Sequence, residues 1–217
     1  VLLKIVLVLV IAYLVRIIAY LVWLYVATEK TIKLSQKFER IVDGSECSAL
    51  FIGDSLTFGS GADEPQTSIA GLYSNDHPTC SIYNLSVNKL TTKQLVKLTE
   101  AQLDRLPAID TAVLSIGGND VVQFRSMSGI EARIKLAVEL LNESTQAIYV
   151  FTPTKPGRSP LVIKLLVSIR LRKLRGTIKS VSDSYDSVHH VDMWNVGDNI
   201  LSDPKKYFAS DSLHLSN

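Results

Sequence analysis

The chain has 217 residues, 47% of them hydrophobic, with a formal net charge of +2. That length suffices for one domain with a full hydrophobic core plus an appendage. Two cysteines exclude a disulfide-dense scaffold, no His or Cys spacing suggests a metal, and the near-balanced charge gives no electrostatic footprint for nucleic acid.

The first 27 residues are compositionally separate. Val1 to Ala27 carries only Lys4 and Arg16 as charges and is otherwise apolar or tyrosine. Residues 5–27 as a helix would span about 35 Å, enough for a bilayer core of about 30 Å. The run is too long and too uniformly apolar for a buried core helix. It also exceeds the usual h-region of about 15 residues, and no A-x-A pattern precedes Thr28, which argues against a cleaved signal peptide. A retained transmembrane signal anchor over 1–27 is therefore predicted, with Arg16 costly near its middle unless it snorkels or pairs. Lys30, Lys33, Lys37 and Arg40 follow the span, which by the positive-inside rule would hold the rest of the chain in the cytoplasm. The chain begins at Val1 rather than Met, so the flank ahead of the helix is read as incomplete.

Residues 28–46 read as a polar linker, and 47–217 as the domain. Beyond residue 27 the chain's 21 basic residues balance 21 acidic ones. The first predicted strand, Ser48–Gly53, is short and apolar. It runs into Gly53-Asp54-Ser55-Leu56-Thr57-Phe58-Gly59. A serine at a strand exit is a candidate nucleophile once a base takes its proton, although a helix N-cap reads the same way. A helix near 64–75 and a strand Ser81–Ser86 follow, then Asn84-Leu85-Ser86-Val87-Asn88-Lys89-Leu90-Thr91-Thr92 and a helix near 91–105. The third strand, Thr111–Ile116, ends in Gly117-Gly118-Asn119-Asp120. Glycines there permit a sharp turn, and the asparagine amide can face a developing oxyanion; a plain turn is the bland alternative. Asp54 and Asp120 read mainly as turn or network groups.

A helix near 129–144 and a strand Ala147–Thr152 precede an unusual segment. Lys155, Arg158, Lys164, Arg170, Arg172, Lys173, Arg175 and Lys179 are basic, and no acid lies between Glu143 and Asp183. On a helical wheel these cations do not share a face, so the segment reads as a sheet-covering helix near 160–186. The sharper hypothesis is a flap that touches anionic lipid or glycan. After the last strand, Val188–Met193, comes Asp211-Ser212-Leu213-His214. This spacing lets one turn present a carboxylate and an imidazole together, the carboxylate fixing the tautomer while the other nitrogen serves Ser55. His77, His189 and His190 lack partners at ligand spacing. Strand–helix alternation predicts a three-layer α/β/α sandwich on a parallel five-stranded sheet, preceded by the transmembrane helix, with chemistry beyond the carboxyl ends of the strands. Cys47 and Cys80 open the first two strands; small apolar thiols are the preferred reading, a disulfide the alternative.

Together, G-D-S-L-T-F-G, G-G-N-D and D-x-x-H resemble the SGNH hydrolases, also called GDSL lipases or esterases, over residues 48–217. The resemblance implies a flavodoxin-like fold and hydrolysis of carboxylic esters without metal or organic cofactor. It makes Ser55 the nucleophile, His214 the base and Asp211 its orienting partner. Asn119 and the main-chain N–H groups of Ser55 and Lys89 become oxyanion donors, supported by Gly53, Asp54, Gly117, Gly118 and Asp120. Lys89 departs from the family pattern, which has glycine there; a main-chain donor survives the change, but a positive φ would penalise lysine. The expected partners are the membrane, through 1–27, and a small acyl ester, lipid or acylated glycan. Acetyl transfer on envelope polysaccharide and a non-catalytic binding domain are the alternatives. The resemblance implies an extracytoplasmic domain. It also implies a further C-terminal helix, of which His-Leu-Ser-Asn would be the start, with Ser216 or Asn217 as its N-cap.

Overall fold

The computed structural model describes residues 1–156, 159–194, 209, 211 and 214; Arg158, Ser216 and Asn217 lie outside them. Five strands carry the domain: β1 (Cys47–Gly53), β2 (Cys80–Asn84), β3 (Ile109–Ser115), β4 (Thr145–Phe151) and β5 (Val188–Val191). All pair in parallel in the order β2-β1-β3-β4-β5, the flavodoxin-like order expected. Strands buried on both faces need apolar side chains in succession, and Ala49, Leu50, Phe51 and Ile52 of β1 are all fully buried. Leu50 and Ile52 join one core with residues of α4 (Thr92–Gln102), α6 (Met127–Asn142) and α7 (Leu161–Ser182). Ala49 and Phe51 join the opposite core with Ala70 and Tyr73 of α3 (Ile69–Asp76) and with Phe38.

Local sequence sets these boundaries. Thr91 and Gln94 form a reciprocal capping box at the start of α4. The Ser68 and Ser126 side chains accept from Gly71 N–H and Gly129 N–H at the starts of α3 and α6. Two helices escaped the sequence reading, α2 (Ser55–Phe58) and α5 (Gly118–Val122), one after each motif.

The apolar N-terminal helix α1 (Leu2–Leu34) continues past the expected end of the span, so the extended connection begins only at Ser35. That connection is strapped to the domain. Arg40 and Ile82 exchange main-chain hydrogen bonds at 3.0 and 2.6 Å, and Lys37 Nζ donates to Asn84 C=O at 2.7 Å.

Cys47 and Cys80 sit opposite one another in the β1–β2 register and form a disulfide, with Cα atoms 4.5 Å apart. The preferred reading of free apolar thiols gives way because parallel pairing starts both strands at the same level. The bond closes a loop of 33 residues, which corresponds to about 3–4 kcal/mol of denatured-state restriction. Replacing both cysteines by serine is expected to lower stability by about that amount, measured as a fall in the thermal midpoint of the detergent-solubilised chain. Without reductant, the native chain should gain no mass from a maleimide–polyethylene glycol reagent.

Candidate active site

Three loops meet at the carboxyl ends of β1, β2 and β3. At the first, Gly53 has φ 143°, and a Cβ there would lie 2.1 Å from the Ser115 carbonyl oxygen. Only glycine lets β1 close on β3 at this point. The chain then turns into α2, with Asp54 as N-cap and Ser55 as first helical residue. Ser55 is half-buried, and its Oγ makes no hydrogen bond among the described residues.

Asp54 is buried, and its Oδ1 accepts from Leu56 N–H at 3.2 Å and from Ser115 Oγ–H at 3.1 Å. Burial pushes its carboxyl up to about 6, against the pull of those two donors and of the nearby His214 charge. An acid raised in the fold holds its proton longer than in the unfolded chain. Its contribution to stability is therefore full below about pH 4 and falls as pH rises to about 6. Asp54→Asn keeps the accepting oxygen and removes the charge. It is expected to stabilise the fold by about 2–3 kcal/mol at pH 7.5 and little at pH 4. Thermal midpoints at the two pH values check this; an equal gain at both would rule out burial of charge as the cause.

At the second loop, Lys89 adopts φ 62°. The left-handed conformation that would penalise lysine is thus required here, at a cost of about 1 kcal/mol. A compensating contact comes from α1: the Lys89 ammonium pairs with Glu29 and lies 5.3 Å from the centroid of the Tyr25 ring.

At the third loop, Gly117 has φ 100°, and a Cβ would meet Leu174 Cδ1 of α7 at 2.9 Å. Asn119 Nδ2 donates to Leu90 C=O at 3.0 Å. One amide N–H thus fixes the side chain on the Lys89 loop and leaves the second for a ligand. Fully buried Asp120 accepts from Thr92 N–H at 2.8 Å and Thr92 Oγ–H at 3.0 Å, tying the second loop to the third.

Asp211 and His214 come together as their spacing predicts. The pair is buried, with His214 Nδ1 2.6 Å from Asp211 Oδ2 and His214 N–H donating to Asp211 Oδ1 at 3.0 Å. Ala209 N–H donates to His214 C=O at 2.8 Å, closing the turn. A carboxylate on Nδ1 holds that proton and leaves Nε2 as the basic nitrogen.

The model of the GDSL-like lipase/acylhydrolase family matches residues 51–217. The chain belongs to that family. As a GDSL-type hydrolase it acts on ester bonds, and its fold is shared with solved structures. A lipolytic G-D-S-L protein from Veillonella parvula superposes with a TM-score of 0.63 at 15% identity, covering 78% of this chain and 89% of that one. A catalytic mutant of an acetylxylan esterase from Geobacillus stearothermophilus gives 0.62 at 19% identity, covering 82% and 89%. The SGNH-hydrolase family esterase AlinE4 gives 0.60 at 22% identity, covering 75% and 82%. No curated protein sequence matches the chain. Sequence reasoning missed the roles of Ser115 and Leu90: one is an ordinary strand hydroxyl and the other contributes only its carbonyl, so neither carried a signal. Thr92 stood out as the end of the 84–92 segment, but its bond to Asp120 depends on distant chain.

Proposed function

We propose that the chain is a membrane-anchored esterase that works through an acyl-serine intermediate on Ser55. The observation that carries this reading is the buried Asp211–His214 pair, its Nδ1 engaged at 2.6 Å, in electrostatic reach of Asp54 beside the serine. His214 Nε2 takes the Ser55 proton as Oγ bonds to the acyl carbon. The carbonyl π electrons move to oxygen, where Asn119 Nδ2 and the main-chain N–H groups of Ser55 and Lys89 receive the charge. Collapse breaks the bond to the alcohol, which leaves with the proton from the imidazolium. Water then attacks the acyl-serine by the same route and releases the acid. The substrate is a lipid, a small acyl ester or an O-acetylated glycan; the acetylxylan esterase among the structural neighbours favours testing the last first.

A fluorophosphonate probe should label Ser55 in the detergent-solubilised chain, and acetate should be released from acetylated xylan or p-nitrophenyl acetate. A folded chain that neither labels nor releases acetate refutes the reading. If Lys89 acts through its main chain, Lys89→Gly should keep turnover within a few-fold. Stability should change by no more than about 1 kcal/mol, because relief of the positive φ offsets loss of the half-exposed pair with Glu29. A loss of turnover beyond tenfold would assign the role to the ammonium group.

The anchor is α1, whose apolar window has a mean hydropathy of 2.8 and no buried residues. The Cys47–Cys80 bond favours an oxidising compartment, hence an extracytoplasmic domain, against the flanking charges. A reporter fused after Asn217 that works only in the cytoplasm would reverse that topology.

A further inference from the structure

A groove of about 480 Å³ lies beside the oxyanion loop, lined by Lys89, Thr91, Lys93, Gln94, Lys97, Gln123 and Arg125. It holds four cations and no carboxylate among its lining residues. Arg125 faces buried Asp120 at 3.9 Å, whereas Lys93 and Lys97, exposed on α4, make no ion pair among the described residues. Three cations of α7 are engaged elsewhere. Arg170 donates to Val121 C=O and Arg125 C=O, Arg175 pairs with Asp192, and Lys179 pairs with Asp183. What the first half of α7 offers outward is apolar: Leu161, Val162, Leu165, Leu166 and Ile169 are exposed and fall on one side of the helix, opposite buried Val167, Leu171 and Leu174, with exposed Arg172 and Lys173 following on the same side. Arg170, 5.3 Å from the Phe124 ring, joins this face to the turn carrying exposed Val122 and Phe124, and that turn also walls the groove.

The level of this surface follows from α1. Tyr25 lies in the last turns of the apolar span, where aromatic rings sit at the headgroups. The Lys89 ammonium lies 5.3 Å from its ring centroid, so the groove begins at the same level. We propose that the catalytic domain docks on the bilayer that α1 spans, with the phosphates of anionic phospholipids in the Lys89–Lys93–Lys97–Arg125 groove and the Phe124 turn and outer face of α7 in the interface. Cations in the phosphate layer beside an apolar ridge are the chemistry of an anionic membrane surface. The inference rests on the anchor reading of α1.

Because the native cysteines are paired, Ile169→Cys gives the full chain one thiol for an environment-sensitive fluorophore. The labelled protein is placed in nanodiscs of phosphatidylcholine alone or mixed with phosphatidylglycerol. The expected result is blue-shifted emission only with phosphatidylglycerol, lost at 1 M salt, where screening acts within about 3 Å. Lys93→Glu with Lys97→Glu should reduce the docking equilibrium by at least about tenfold, with turnover of soluble p-nitrophenyl acetate unchanged. Equal emission in both nanodiscs, or indifference to the double substitution, overturns the proposal. So does loss of the shift with inorganic phosphate but not with chloride at equal ionic strength, which would make the groove a site for a soluble phosphoryl group. A folded chain that does not enter nanodiscs at all refutes the anchor reading itself, and this proposal with it.

Discussion

Ser55→Ala is expected to lower kcat for p-nitrophenyl acetate by about 10⁴–10⁶-fold and to abolish fluorophosphonate labelling. The effect should be this large because no neighbouring hydroxyl occupies the same position. Thr57 is buried, with its hydroxyl donating to Asp54 C=O, and the Ser60 hydroxyl donates to Asn88 at 2.5 Å. Stability should hold, since Ser55 Oγ makes no hydrogen bond to lose among the described residues. His214→Ala should cost nearly as much, and the double variant little more than either alone, because a nucleophile and its base act as one unit. Residual turnover above a tenth of the native value, with the thermal midpoint unchanged, would remove Ser55 from the mechanism.

The sheet was legible because strands buried on both faces must be apolar runs, and each predicted strand overlaps an observed one to within a few residues at either end. Helices α2 and α5 were not, because four or five residues carry no period, and Gly, Asn, Asp and Ser there read as turn residues. The motifs named the serine, the asparagine and the Asp–His pair, since their spacing is local or their place at a strand exit is set by topology. What stayed hidden depends on distant chain. Lys89 was visible as a departure from glycine, but its partner Glu29 is 60 residues away on α1. Asp54 was visible beside the serine. Its raised carboxyl comes from burial, which outweighs the lowering pull of Ser115 and His214, and only the folded chain buries it and brings those two near. Topology made β1 and β2 neighbours, yet their in-register start, and hence the disulfide, is a matter of one residue of alignment.

Asp211→Asn tests whether the pair acts as geometry or as charge and tautomer together. The native carboxylate is buried and accepts twice from His214, at its main-chain N–H (3.0 Å) and at Nδ1 (2.6 Å). An asparagine of the same shape has one accepting oxygen and one amino group. If the oxygen keeps the main-chain N–H, the amino group faces Nδ1, which must then accept. The ring proton moves to Nε2, and the nitrogen meant to receive the Ser55 proton already carries one. Turnover is expected to fall by about 10⁴-fold with the turn intact, read as kcat for p-nitrophenyl acetate alongside the thermal midpoint. Loss of the carboxylate also removes the charge that steadies the imidazolium as the proton arrives. Both effects act on kcat, so KM should change little. An Asn variant within tenfold of the native rate would transfer the orienting role to the main-chain bond from Ala209 N–H to His214 C=O at 2.8 Å. The Asp211 carboxylate would then be a structural acceptor of the turn rather than a partner in proton transfer.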